Sequence, residues 1–191
     1  KDLNLKNLEK WAKIKGVNLL GTSDFTHPKW IQEVKAELKE SEEGIYRSES
    51  GFPFLLTSEV SLMYSQGGKG RRVHNLLVAP NLEVVDQITA YLKTKGRVDY
   101  DGRPIFNIPC PEFVENLMEI DKGIEIIPAH AWTPWFGIFG SKTGFNSLKE
   151  AFQDKVQHIH AIETGMSSDP AMNWRLSQLD NITLVSSSDS H

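Results

Sequence analysis

The sequence predicts an α/β fold, in which helices alternate with the strands of a mostly parallel sheet that is closed or nearly closed. Strand-like apolar runs and amphipathic helical stretches alternate along the whole chain, without an internal repeat or a linker. Five of the apolar runs end in Asp, Glu or His, which are metal-binding side chains. Such residues at the carboxyl ends of strands are typical of a site at the mouth of a parallel sheet or barrel. The 191 residues fit one domain, residues 1–191.

The first half of the chain begins with a helix and a strand. Leu5, Leu8 and Ala12 fall on one helical stripe, which predicts a helix over 2–15, and an apolar run predicts a strand over 17–21. The elements predicted next are a helix that begins at Pro28 and carries the Glu-rich segment 37–43 as its solvated end, a short strand over 45–49, a β-hairpin near residues 54–78, and a helix over 81–95.

The second half continues the alternation after a turn-rich stretch over 97–107. The loop after the strand over 124–127 contains four aromatic residues interleaved with glycines and Pro134. The elements predicted here are a helix over 111–121, a strand over 124–127, a short helix over 145–152, a strand over 158–163, a helix over 170–179 and a last strand beginning at Thr183.

The hairpin carries a buried carboxylate that needs a partner. If Gln66 pairs with Arg71, then Glu59 and His74 lie on the same face, two residue pairs apart. A charged glutamate inside an apolar strand is costly unless it is paired or bound to a metal. Glu59 is therefore more informative than a carboxylate on the surface.

Composition excludes several classes of protein. Hydrophobic residues make up 39% of the chain and no apolar run is long enough for a membrane span. The net charge of −4 argues against a general basic nucleic-acid coat, although clustered carboxylates can hold cations that meet phosphate. The single cysteine, Cys110, permits no internal disulfide, which fits a reducing cytosol, and we expect a cytoplasmic protein.

Several candidate metal ligands follow apolar runs. In the last segment, Asp189 and His191 stand two residues apart, so an extended chain presents both side chains on one face. Carboxylate oxygens and imidazole nitrogens can share one cation. The other candidate ligands are Asp24, His27, Glu59, His74 and His130.

With these residues in this order, the chain resembles the polymerase and histidinol phosphatase (PHP) domain family, and most closely its endonuclease Q subgroup. The segments that carry the subgroup resemblance are Asp24–Trp30, Ala129–Trp135 and Glu163–Pro170. The resemblance implies a distorted (β/α)7 TIM-like barrel with a metal site at its C-terminal mouth. It also implies a His-x-His strand before Lys1 and further chain after His191, so we expect a fragment of a longer protein.

The resemblance implies a metal-dependent DNA-repair endonuclease. Its reaction would be hydrolysis of the phosphodiester 5′ of deaminated bases (uracil, hypoxanthine, xanthine) or abasic sites. Two or three ions are implied, Zn²⁺ and/or Mn²⁺/Mg²⁺, with Glu59, Asp189 and His191 as catalytic residues. The implied partners are DNA containing deaminated bases and replication or repair proteins. The sequence leaves open whether Asp24 or His27 is the ligand after the early strand.

The aromatic loop and the basic side chains have two interpretations each. Trp132 and Trp135 either cap the core or stack on an everted base. Lys142, Arg71 and Arg72 are candidate contacts to DNA phosphates, with a solvated hairpin tip as the alternative for the two arginines.

Three further residues complete the predictions. Glu163 is a metal ligand, a substrate contact or a structural hydrogen-bond acceptor. His158 and His160 form a His-x-His pattern at the wrong end of their strand, and we expect both outside the metal site. Two other functions remain open: a small-molecule phosphatase of the histidinol phosphatase type, and a non-catalytic structural module.

Overall fold

The computed structural model describes residues 3–99, 102–187 and 189, and it is a mixed α/β fold. Its helices are α1 (Leu5–Ile14), α2 (Pro28–Glu37), α3 (Leu82–Lys95), α4 (Cys110–Ile120), α5 (Leu148–Phe152) and α6 (Pro170–Asn173). Its strands are β1 (Leu20–Gly21), β2 (Lys39–Glu42), β3 (Ile45–Arg47), β4 (Pro53–Gln66), β5 (Lys69–Ala79), β6 (Ile105–Phe106), β7 (Glu125–Pro128), β8 (Ala161–Thr164) and β9 (Thr183–Ser186).

The main sheet is mostly antiparallel, so the prediction of a mostly parallel sheet is wrong. Its path is β2-β3-β4-β5-β7, with β1 and β6 also paired to β4, and every step of that path is antiparallel. Strands β8 and β9 form a separate parallel pair. Across the described residues the strands do not close into a barrel, so a TIM-like barrel is not seen. Because β4 and β5 are joined by a two-residue turn, they can only run antiparallel.

The hairpin has a different register from the predicted one. Gln66 pairs with Lys69 rather than with Arg71, and the turn between them is Gly67 and Gly68, both with positive φ. Two consecutive glycines at positive φ form the tight turn that matches strand twist. A shift of two residues preserves the faces of a strand, so Glu59 still shares a face with His74 and is now one pair closer.

Two helices are shorter than the sequence predicted. Helix α2 ends at Glu37, and the Glu-rich segment beyond it forms the exposed edge strand β2, which pairs through its backbone with β3. The predicted last helix over 170–179 is one helical turn, α6, followed by a 3-10 turn over Ser177–Leu179. Polar segments of this kind carry little apolar periodicity, so the pairing partner decides their conformation.

The core lies between the main sheet and its helices and gives the site a rigid base. Consecutive residues Val60, Ser61 and Leu62 of β4 are all buried, which means that both faces of this strand are covered. Phe113 and Leu117 of α4 belong to the same core. Each fully buried apolar side chain contributes about 1.5–3 kcal/mol, so Glu59 projects from a strongly held strand. In the described ranges, no helix is both long and apolar enough to cross a membrane.

Candidate metal centre

Two neighbouring strands and one loop bring Glu59, His74 and His130 together. Glu59 Oε1 lies 3.2 Å from His74 Nδ1 and 3.5 Å from His130 Nε2. The two imidazole nitrogens are 3.1 Å apart. Glu59 comes from β4 and His74 from β5, whereas His130 follows β7, so the paired strands fix the first two and the loop fixes the third.

The His130 loop is held tightly at its base. His130 has a φ of 32°, which is uncommon for a residue with a side chain. Its backbone N–H donates to the buried Glu163 carboxylate, and the backbone N–H of Ala131 donates to the Glu163 carbonyl at 3.0 Å. Ser187 also donates to the Glu163 side chain. Glu163 therefore acts here as the structural acceptor that ties the His130 loop to the segment after β9.

Two aromatic and polar contacts orient the imidazole rings. His74 stacks on Phe136 with ring centroids 4.5 Å apart, and its ring meets that of His130 edge-on. His130 Nδ1 lies 2.8 Å from the Thr133 hydroxyl. Neither Phe136 nor Thr133 was selected as a functional residue from the sequence, because only the turn of the loop brings them to the rings.

The charges of the cluster favour metal-binding protonation states at two of its three residues. Burial alone would raise the pKa of Glu59, but His130, His74 and the Arg103 charge outweigh it and hold that pKa well below its usual range. Burial lowers the pKa of His74 and so favours the neutral imidazole. Burial also opposes protonation of His130, yet the Glu59 carboxylate raises the pKa of that imidazole. Since metals bind anionic carboxylates and neutral imidazoles, protons compete with a cation mainly at His130.

Arg103 is a site residue that the sequence did not reveal. Its Nε lies 2.7 Å from Glu59 Oε1, and another guanidinium nitrogen pairs with Asp189. Arg103 stands in a turn-rich stretch without periodicity, so no spacing signal pointed to it. Through this guanidinium, Asp189 joins the edge of the cluster formed by Glu59, His74 and His130.

The remaining predicted ligands are placed differently. Burial, together with the Glu59 charge, raises the pKa of Asp24, so this carboxyl lies within electrostatic reach of the cluster. His27 precedes α2 as its N-cap residue and makes no capping hydrogen bond through its side chain. Neither contributes a ligand atom to the compact group that contains Glu59. His191 lies outside the described residues.

The two tryptophans of the aromatic loop have different environments. Trp132 packs on the core, its ring 4.7 Å from that of Phe139, and its indole N–H donates to Asn173 at 2.8 Å. Trp135 is 50% exposed and lies beside the Arg72 guanidinium, 5.8 Å from ring centroid to cation. Trp132 therefore matches the core interpretation, and only Trp135 offers a ring face to an incoming molecule.

The predicted basic contacts divide in the same way. Arg71 is buried, with its guanidinium 3.1 Å from Glu150, bonded to the Gly144 carbonyl and stacked on Phe145. These contacts commit Arg71 to the interior, so we remove it from the residues proposed to bind DNA. Arg72 and Lys142 are exposed.

His158 and His160 lie away from the cluster. The exposed His160 ring pairs with Glu125 at 3.0 Å, at the start of β7, whereas His130 follows the end of that strand. Among the described residues, the compact group of possible ligands does not include either histidine. The expectation that this His-x-His pattern stands apart from the site agrees with the geometry.

The donor set fits a divalent cation. One carboxylate oxygen and two imidazole nitrogens lie within 4.8 Å of one another, and all three residues are buried or half-buried. Glu59 Oε1 is a buried atom that accepts no well-aligned hydrogen bond from the described part of the chain. An anionic carboxylate oxygen and two imidazole nitrogens at this spacing are the ligand types that a divalent cation binds.

Comparison with known proteins relates this fold to DNA-lesion endonucleases. The fold is similar to the crystal structure of the lesion-specific endonuclease PfuEndoQ from Pyrococcus furiosus, with a TM-score of 0.84, 31% identity and 100% of this chain covered. It is also similar to endonuclease Q in complex with a 27-mer duplex substrate with an abasic lesion at the active site, with a TM-score of 0.83, 32% identity and 98% of this chain covered.

Curated sequences give a consistent but less informative result. An uncharacterized protein of Methanocaldococcus jannaschii is 32% identical over 135 residues, 70% of this chain, and the uncharacterized protein YqxK of Bacillus subtilis is 29% identical over 189 residues, 93% of this chain. No family model matches the chain. The chain spans 14% and 45% of these two relatives and 44% of each solved structure.

Proposed function

We propose that this chain is the metal-dependent catalytic domain, residues 1–191, of a DNA-repair endonuclease that cleaves next to base lesions. The observation that carries the proposal is the buried group of Glu59, His74 and His130. It lies in a fold that matches a lesion-specific endonuclease over the whole chain at 31% identity. A site made of one carboxylate and two imidazoles suits Zn²⁺ or Mn²⁺ better than Mg²⁺ alone.

The residues of the site have separate tasks. Glu59, His74 and His130 would hold the cation, while Glu163 fixes the backbone of the His130 loop. Arg103 pairs with Glu59 and Asp189, and this shared guanidinium holds the two carboxylates beside each other at the cluster. When bound, divalent ions supply an activated water and neutralise the charge that develops on a phosphodiester. We further propose Asp24, His27, Asp189 and His191 as ligands of additional ions.

The substrate we propose is duplex DNA with a deaminated base or an abasic site, cut on the 5′ side of the lesion. The exposed face of Trp135 beside Arg72 can stack on a base or a sugar-phosphate edge near the cluster. The exposed Lys142 lies in the same loop, where it can contact a phosphate. Support for a lesion substrate comes from the solved relative that holds an abasic duplex.

A nicking assay on matched duplexes tests the proposal. The full-length protein with Mn²⁺ or Zn²⁺ is incubated with duplexes that contain uracil, hypoxanthine, an abasic site or only normal bases. We expect cuts 5′ of each lesion and an intact normal duplex. Glu59→Gln should lower the nicking rate by at least about 100-fold, because a neutral amide replaces the anionic ligand.

His160→Gln is the matched control, since its imidazole is exposed and paired with Glu125 at the far end of β7. It should nick like the wild type. Equal cutting of normal and lesion duplexes, or activity that survives both EDTA and Glu59→Gln, would contradict the proposal. Rapid phosphate release from a small monoester without any nicking would instead identify a phosphatase.

A further inference from the structure

The Thr133 hydroxyl lies close to two backbone carbonyl oxygens and to the imidazole of His130. Thr133 Oγ1 lies 3.0 Å from the carbonyl oxygen of His130 and 2.9 Å from that of Trp135. His130 Nδ1 lies 2.8 Å from the same hydroxyl oxygen. The hydroxyl therefore has three neighbours within hydrogen-bond distance and a single hydrogen to donate.

The two carbonyls decide where that hydrogen points. A carbonyl oxygen only accepts, so an oxygen–oxygen distance of 2.9 or 3.0 Å is favourable only with the hydroxyl hydrogen between the two atoms. If the hydroxyl turned its hydrogen towards the imidazole, both short oxygen–oxygen contacts would remain unbridged. The hydroxyl thus donates to the backbone and accepts from the ring, so Nδ1 of a neutral His130 carries the hydrogen.

This tautomer places the free lone pair of His130 where a cation would need it. With Nδ1 protonated, Nε2 is unprotonated, and Nε2 is the atom that lies 3.1 Å from His74 and 3.5 Å from Glu59. The opposite tautomer would direct an N–H into the cluster, and His130 would then have no lone pair there to bind a metal ion. Glu163 already holds the backbone of His130. The position of the hydrogen on the ring then decides whether Nε2 can bind a cation.

We infer that Thr133 is a positioning residue of the metal centre: it holds His130 in the Nδ1–H tautomer with Nε2 directed at Glu59 and His74. This inference rests on the proposed metal-dependent function. Groups that orient a metal-binding histidine through its second nitrogen typically change metal affinity about 10–100-fold when they are removed. Thr133 is not a member of the group of possible ligands, so it acts on the site through His130.

Two substitutions separate the hydroxyl from the shape of the side chain. Thr133→Val keeps the branched shape and loses the hydroxyl, whereas Thr133→Ser keeps the hydroxyl and loses the methyl group. Long-range ¹H–¹⁵N NMR of the imidazoles, recorded at a pH where His130 is neutral, reports which nitrogen carries the hydrogen. We expect the Nδ1–H form in the wild type and in Thr133→Ser, and loss of that preference in Thr133→Val.

Mn²⁺ and Zn²⁺ titrations of the same three proteins give a second measurement. Thr133→Val should weaken cation binding about 10–100-fold, and Thr133→Ser should remain within about 3-fold of the wild type. An Nε2–H tautomer in the wild type would overturn the inference without any variant, as would equal losses in Thr133→Val and Thr133→Ser. If the wild type binds neither ion, the proposed function fails, and the NMR measurement still decides the tautomer.

Discussion

Gly137→Ala tests how closely the His130 loop must fold to build the cluster. A Cβ atom at position 137 would lie 2.6 Å from the carbonyl oxygen of Thr133, 2.8 Å from that of Ala131 and 2.9 Å from that of His130. All three are backbone atoms, so no flexible side chain can move away. To reach an ordinary 3.4 Å contact, the loop has to open by roughly 0.8 Å at Thr133.

The size of the effect follows from this required shift. Insertion of a methyl group into a packed segment costs about 1–3 kcal/mol, which lowers the melting temperature by roughly 3–10 °C in a chain of this length. Opening the loop also displaces the His130 ring, so we expect Mn²⁺ affinity to fall about 10–100-fold. Urea denaturation and a metal titration measure the two effects separately.

Gly70→Ala is the matched control for this substitution. A Cβ atom at position 70, in the exposed part of β5, meets nothing within 4 Å, and the residue has no positive φ. This variant should differ from the wild type by less than about 1 kcal/mol and should bind Mn²⁺ equally well. If Gly137→Ala matches Gly70→Ala in both stability and affinity, the loop does not constrain the site and the reasoning is refuted.

Two further predictions concern the tryptophans and one acidic side chain. Trp135→Ala should weaken binding of a lesion duplex, measured by fluorescence anisotropy, by about 1–3 kcal/mol with little change in stability. Trp132→Ala should instead lower the free energy of unfolding by about 3 kcal/mol. Equal effects of the two substitutions on DNA binding would contradict this assignment. Burial alone would raise the pKa of Glu9, but hydrogen bonds from Lys13, Ser50 and Ser48 lower it to about 2. The wild type should therefore be more stable than Glu9→Gln at pH 7, and urea denaturation should show this advantage disappearing as the pH falls from about 4.5 to 2; a constant difference over that range would disprove the effect.

The sequence alone was sufficient for the parts of this protein that depend on local pattern. Two strand-like segments on either side of a glycine-rich turn predicted the hairpin, and the apolar neighbours Leu56 and Leu62 singled out Glu59 as a carboxylate that needs a partner. His74 was predicted on the same face because side chains alternate along a strand. His130 followed an apolar strand in a segment similar to the endonuclease Q subgroup, and the structure places it beside Glu59 and His74.

Only the tertiary structure decided which strands pair and which polar groups meet across the fold. The antiparallel main sheet depends on non-local pairing between β5 and β7. The residue pattern of either strand alone does not predict this pairing. Arg103 and Thr133 reach Glu59 and His130 from irregular segments without periodicity. Arg71 and Arg72 are neighbours in sequence, yet the alternation of β5 turns Arg71 into the interior and leaves Arg72 exposed. Local sequence fixes which residue types a strand presents, whereas the packing of distant segments determines which partners they contact and therefore which of them share a site.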